Sequence, residues 1–209
     1  MNDEARSVEA WKMLHSRGYF LKHPHYRGLP LDGGSTIREL SQIGLNRTDV
    51  VLDVGCGYGR VTIPLAPLVS RVIGIDLHEG PLSRGRETAR KLELSNVEFL
   101  LCDGWSFPIL DDSVDVVFSV NVIQHCRRET VGRYVDESLR VLQFGGAAAH
   151  QFLIMDTKIR DIDPLLMEEQ SVGWTMREIL DMVQPKTKEF LIDRAKGGTS
   201  AILRLYKTE

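Results

Sequence analysis

The chain of 209 residues is 43% hydrophobic and 26% charged, with a formal net charge of −3. That balance suits one domain that can bury a core without disulfide or metal staples, and it leaves no room for a second catalytic domain. It also gives no broad basic field for a phosphate backbone, so small-molecule partners are favoured over nucleic acid. No apolar run approaches the ~20 residues of a membrane helix. The first residues, MNDEARSVEAWK, are acidic and mixed, unlike a secretory signal, and a cytoplasmic location is expected. Cys56, Cys102 and Cys126 are scattered and lack CxxC spacing, which reads as three reduced thiols without disulfide or zinc. A monomer or homodimer is expected.

In chain order, residues 1–48 come first, with a helical stretch at Val8–Leu14, the aromatic and basic stretch GYFLKHPHYRGLP, and another helix from Ser35. No low-complexity linker follows them. They read as an N-terminal helical extension packed on a main domain over residues 49–209, and as a candidate lid. Tyr19, His25 and Tyr26 are its candidate substrate contacts; the plainer alternative is that its aromatics anchor it and its basic groups face water.

From Asp49 short β-branched runs alternate with amphipathic stretches, the pattern of βα units feeding a parallel sheet. Predicted strands are Val50–Val54, Arg71–Ile75, Val97–Leu101, Val114–Val120, Ala147–Leu153, Glu189–Ile192 and Ala201–Tyr206. Predicted helices are Arg60–Val69, Gly80–Leu92, Glu129–Leu142 and Thr175–Val183. The third of these puts Val131, Tyr134, Val135, Leu139 and Leu142 on one face. AKGGT suits a turn between the last two strands. The expected fold is α/β: a doubly wound, Rossmann-like, seven-stranded and mostly parallel sheet with an antiparallel C-terminal hairpin.

The strand VVLDV runs into GCGYGR and then into a helical stretch, so Gly55, Gly57 and Gly59 sit at a strand-to-helix turn. Such a turn lets backbone approach a ligand closely and offers exposed amides to an anionic group. Asp53 precedes the turn and suits an ammonium group. Asp76 ends the next strand, 23 positions later, where an acid can take both ribose hydroxyls. A nicotinamide cofactor fits that spacing too, but GxGxxG is absent, because from Gly55 the chain reads GCGYGR. Strand three ends in LLCDGW; Asp103 taken alone reads first as a loop acid that caps the next turn, and only together with Asp53 and Asp76 as a ligand contact.

DVGCGYG with Asp76 and Asp103 resembles the class I S-adenosylmethionine-dependent methyltransferase family. The likeness runs from about Val50 to Phe152, through VDVVFSVNVIQH and the turn QFGG, where Phe144 stands in place of the common Pro. The resemblance implies S-adenosyl-L-methionine as cofactor, held by Asp53, Gly55, Cys56, Gly57, Gly59, Asp76 and Leu77. It further implies that Asp103 accepts the adenine amino group, with Gly104 and Trp105 beside the ring and Asn121 near the methionine part.

The implied activity is methyl transfer to a small-molecule acceptor, first of all at a hydroxyl oxygen. A hydroxyl gains from a base, and His125, just beyond strand four, is the candidate; lining the pocket is its other reading. Gln124 beside it is a candidate substrate contact. His150 on strand five reads as a satisfied core histidine. NPPY, DPPY and Pro-Cys are absent, as is the metal-binding Asp-Asn pair of catechol-type enzymes. No metal is expected, and Asp111 and Asp112 read as solvated loop acids. Transfer to nitrogen, to RNA or to protein stays open, as does a protein that binds the cofactor without transfer.

Overall fold

The computed structural model describes residues 34–154, 172–194 and 200–208. In chain order these hold α1 (Gly34–Ser41), β1 (Val50–Val54), α2 (Thr62–Leu65), β2 (Arg71–Asp76), α3 (Glu79–Lys91), β3 (Val97–Leu101), β4 (Val114–Ser119), α4 (Arg128–Val141), β5 (Leu142–Leu153), α5 (Met176–Val183), β6 (Phe190–Arg194) and β7 (Ser200–Tyr206). Short 3-10 turns occupy Ala66–Leu68 and Ile123–His125.

The strands form one sheet in the order β3-β2-β1-β4-β5-β7-β6. β1 to β5 are parallel, while β7 runs antiparallel to both β5 and β6. Interior parallel strands are covered on both faces, which is why VVLDV and RVIGID are almost continuously apolar and buried. Successive side chains of a strand serve opposite layers. Leu52 and Val54 join Val131, Tyr134, Val135 and Val141 of α4 and Ile179 and Val183 of α5. Val51 joins Leu40 of α1 with Leu65, Val116 and Phe118. A smaller cluster puts Phe99 of β3 against Leu82 and Ala89 of α3.

Three boundaries differ from expectation for identifiable reasons. The helix expected at Arg60–Val69 is split into α2 and the 3-10 turn, where Pro67 removes an N–H and crowds the preceding turn. β4 ends at Ser119, one residue early, because Asn121 takes a left-handed backbone with φ +60°. β5 starts at Leu142 rather than Ala147. QFGG is therefore strand rather than turn: Gly145 N donates to Lys207 O at 2.9 Å and Lys207 N to Gly146 O at 3.0 Å. The residue that departs from the common pattern, Phe144, is exposed under the Lys207 ammonium, 5.4 Å from its ring centre. The AKGGT connection lies outside the described residues.

α5 begins in a capping box, with the Thr175 hydroxyl accepting from Glu178 N and Glu178 accepting from Thr175 N. This helix closes the layer around α4. In chain order the sheet grows from β1 outward to β3, then returns to β4 on the other side of β1. Loops leaving β1 and β4 diverge there and open a crevice at the carboxyl edge.

Candidate active site

That crevice is a cavity of about 1160 Å³, counting the space at its mouth. Asp53, Gly55, Cys56, Gly57, Asp76, Leu77, Asn121 and His125 all line it, so the ends of β1, β2 and β4 bring together most of the residues singled out from sequence. The β1 loop folds back over β2, with the amides of Gly55 and Cys56 both donating to Ile75 O at 2.8 and 3.0 Å. Gly55 has φ +73°, and a Cβ there would lie 2.4 Å from a Val122 methyl. Gly57 has φ +56° with nothing within 4 Å of its own Cβ position, so that side of the loop is open.

Asp53 is buried and accepts from the Thr62 hydroxyl at 2.6 Å. Burial pushes its carboxyl up to about 7, against the pull of the Thr62 hydrogen bond and the Arg60 charge. Asp76 is also raised by burial, although it accepts from Gly57 N at 2.9 Å and His78 N at 3.2 Å. It thereby ties the glycine loop to the end of β2. Cys56 lies under the loop, buried, with its Sγ where a Cβ on Gly74 would stand 2.7 Å away.

Gly59 does not line the cavity; its φ is +86°, and a Cβ there would come within 2.7 Å of the Phe99 ring. Asp103, Gly104 and Trp105 also lie off the lining, although Cys102 before them is on it. Asp103 is exposed. Desolvation pushes its carboxyl up but is outweighed by hydrogen bonds from Ser106 N and Trp105 N, leaving it below the ordinary value. Both amides fall on Oδ1, with a longer contact from the Ser106 hydroxyl at 3.4 Å, while Oδ2 takes that hydroxyl at 3.2 Å and no amide.

Asn121 sits exposed at the cavity mouth, its N–H donating to Gln151 Oε1 at 3.1 Å. His125 is largely buried on the β4 side, and desolvation lowers its imidazole to about 4, which keeps it neutral near pH 7. Gln124 is off the lining; its amide nitrogen is 3.3 Å from His125 Nε2 and its backbone oxygen accepts from Val172 N at 2.7 Å. Tyr19, His25 and Tyr26 lie outside the described residues. No cluster of three or more His, Cys, Asp or Glu poised for a metal occurs among the described residues.

Further lining residues were not singled out from sequence: Tyr58, Arg60, Pro81, Cys102, Cys126 and Tyr134. Tyr134 carried a usable signal, since it was placed on the sheet-facing side of its helix. Cys102 directly precedes the acid that ends β3. Nothing local marks Pro81, which enters from the start of α3.

Residues 51–146 match the family described as "Methyltransferase domain". Over that span, just under half of the chain, the sequence is similar to methyltransferase domains. An arsenite methyltransferase from Halobacterium salinarum is 36% identical over 104 residues, 48% of this chain and 26% of that protein. A malonyl-[acyl-carrier protein] O-methyltransferase from Yersinia pestis is 37% identical over 112 residues, 53% of this chain and 39% of that protein. The chain thus spans well under half the length of these relatives. Among solved structures, a SAM dependent methyltransferase from Aquifex aeolicus shares the fold with a TM-score of 0.65 at 21% identity, over 90% of this chain and 96% of that one.

The cavity fits the cofactor that the resemblance implies on its own geometry. The donor set is two buried carboxylates beside a glycine loop whose Gly57 has open space where a side chain would stand. Carboxylates at that depth suit a ligand with a cationic group at one end and vicinal hydroxyls at the other. No described helix is long and apolar enough to cross a membrane.

Proposed function

We propose that the protein is an S-adenosylmethionine-dependent methyltransferase acting on a small molecule, with a hydroxyl oxygen as acceptor. The carrying observation is that Asp53 and Asp76 face one cavity at the switch point of the sheet, bridged by the glycine loop. In this reading Asp76 takes the ribose hydroxyls, Asp53 faces the ammonium group, and the amides of the loop receive the carboxylate. Asp103 offers Oδ2 to the adenine amino group from the rim, with Gly104 and Trp105 shaping the turn that presents it. When bound, the cofactor supplies an electrophilic methyl group on sulfur, with a neutral thioether as leaving group.

The chain's own task is alignment and exclusion of water. His125 stands neutral on the β4 side, with Gln124 behind it, and accepts the acceptor's proton as the new bond to oxygen forms. Because burial makes its imidazolium costly, this transfer suits an acidic hydroxyl better than an aliphatic alcohol. Tyr19, His25 and Tyr26 are the further substrate contacts this reading proposes. The O-methyltransferase among the relatives supports oxygen, while the net charge of −3 argues against a nucleic-acid substrate.

Calorimetry with S-adenosylhomocysteine and NADH tests the cofactor: binding of NADH alone overturns the reading. Asp76→Ala should weaken S-adenosylhomocysteine by roughly 10- to 100-fold, the loss of charge-assisted hydrogen bonds. Incubation with labelled donor and a metabolite extract, followed by mass spectrometry, identifies the acceptor. On a hydroxyl acceptor found this way, His125→Ala should lower kcat by roughly 100-fold; unchanged turnover removes the base and points to an amine or thiolate acceptor.

A further inference from the structure

β5 is longer than its neighbour β4. Ser119, the last residue of β4, pairs with His150, and β5 continues through Leu153 with nothing of β4 beside it. Where this overhang begins, two adjacent polar residues, His150 and Gln151, send their side chains to opposite faces of the sheet. His150 reaches the last residue of β4, and Gln151 reaches the chain that follows it, which holds Asn121 and His125 at the cavity.

His150 is fully buried between Ser119 Oγ, 2.9 Å from Nδ1, and Ser138 Oγ of α4, 3.0 Å from Nε2. Its tautomer follows from counting protons. The Ser138 hydroxyl donates its one hydrogen to Tyr134 O at 2.6 Å, so it can only accept from the ring. Nε2 therefore carries the hydrogen, and Nδ1 accepts from the Ser119 hydroxyl. The end of β4 is thus joined through one imidazole to the helix that supplies Tyr134 to the cavity.

Gln151 works from the other face. Its Oε1 accepts the N–H of Asn121, the residue whose φ of +60° turns the chain sharply out of β4. A non-glycine residue in that region is held there by its surroundings, and this hydrogen bond is the polar contact across the bend. Further along the overhang, Leu153 O accepts from Trp174 N at 2.9 Å, and Val172 N returns to Gln124 O at 2.7 Å.

We propose that His150 and Gln151 are positioning residues that fix the loop 120–126 from the two faces of the sheet, so that the acceptor half of the cavity depends on them while the nucleoside half does not. This rests on the methyltransferase reading for the meaning of the two halves. The nucleoside half is held separately, by Asp76 and the amides over Ile75.

The test uses the full chain, labelled with nitrogen-15. In the wild type, long-range histidine spectra should show His150 as the neutral Nε2–H tautomer. Gln151→Ala should move the Asn121 amide and His125 ring signals and speed amide exchange over residues 120–126 about fivefold, the loss of one ordinary hydrogen bond. Gln151→Glu, which keeps an oxygen for Asn121 N–H, should restore both. Ser119→Ala should change the His150 ring signals and speed exchange in the same loop. In each variant, β1 and β2 amides should keep their protection and S-adenosylhomocysteine affinity should stay within about threefold, since Asp53, Asp76 and the glycine loop are untouched and only the Asn121 contact shifts.

Unchanged loop signals in Gln151→Ala, or exchange rising equally in β1 and β2, would overturn the proposal. So would an Nδ1–H tautomer for His150. The loop readouts need no ligand, so they decide the positioning role even if the wild type fails to bind S-adenosylhomocysteine, a result that would fall on the functional reading alone.

Discussion

Asp53 is a carboxylate placed where its charge is costly: burial lifts it to about 7, so near neutrality it is only partly ionised. A cationic group seated beside it would stabilise the charged form and expel a proton. S-adenosylhomocysteine should therefore bind more tightly as pH rises from 6 to 8, with proton release visible as a dependence of calorimetric heat on buffer ionisation enthalpy. Asp53→Asn should flatten both. A heat independent of buffer in the wild type would show that no cation approaches this carboxyl. Asp53 itself was legible in sequence because a lone acid ending an apolar strand before a glycine turn is hard to place otherwise. Its titration was not, because that depends on how completely Leu52, Val54 and the loop exclude water. For Asp103 the sequence left two readings open, and the structure puts the acid at the rim, with Oδ1 engaged by its own turn and Oδ2 turned to the Ser106 hydroxyl.

At the scale of elements, the glycines of one loop perform different tasks that GCGYG alone cannot separate. Gly59 and Gly57 both have positive φ, so alanine at either costs about 1–2 kcal/mol of backbone energy. At Gly59 the added carbon also meets Phe99 at 2.7 Å and Ile63 at 3.1 Å, and overpacking adds roughly 1–3 kcal/mol. Gly59→Ala should thus unfold at clearly lower temperature than Gly57→Ala, whereas Gly57→Ala should lose more S-adenosylhomocysteine affinity, since its methyl stands in the open side of the loop. Equal melting temperatures would contradict the division. Strand β1 was legible to the residue because an interior parallel strand is almost continuously apolar, and β3, at the sheet edge, because its run Val97–Leu101 is bounded by Asn96 before it and the CDG turn after it. The start of β5 was not, since two glycines read locally as a turn; their partner, Lys207, is some sixty residues away. The Tyr58, Arg60 and Pro81 sides of the cavity were hidden for a similar reason, as loop and helix meet only in the fold.

Taken as a whole, the molecule joins its helix layer to its sheet through a buried histidine that carries no charge. His150 meets two serine hydroxyls and no ionised group, and burial lowers its ring from the ordinary 6.5 to about 4. The unfolded chain therefore binds a proton at this residue between those values while the folded one does not. That stability is fully present above pH 6.5 and is lost as pH falls toward 4, at about 1.4 kcal/mol per pH unit, or on the order of 3 kcal/mol across the window. His125 acts in the same direction, and Asp53, whose folded carboxyl is raised, acts oppositely by holding its proton in the fold. The net slope of the wild type mixes these, so the variant isolates one of them. His150→Gln removes the titrating ring: it should be less stable than the wild type at pH 7.5, with a gap that narrows steadily between pH 6.5 and 4. Denaturant unfolding at a series of pH values measures that gap directly. A constant gap would mean that the ring is already protonated in the fold, or that its burial costs the charged form nothing.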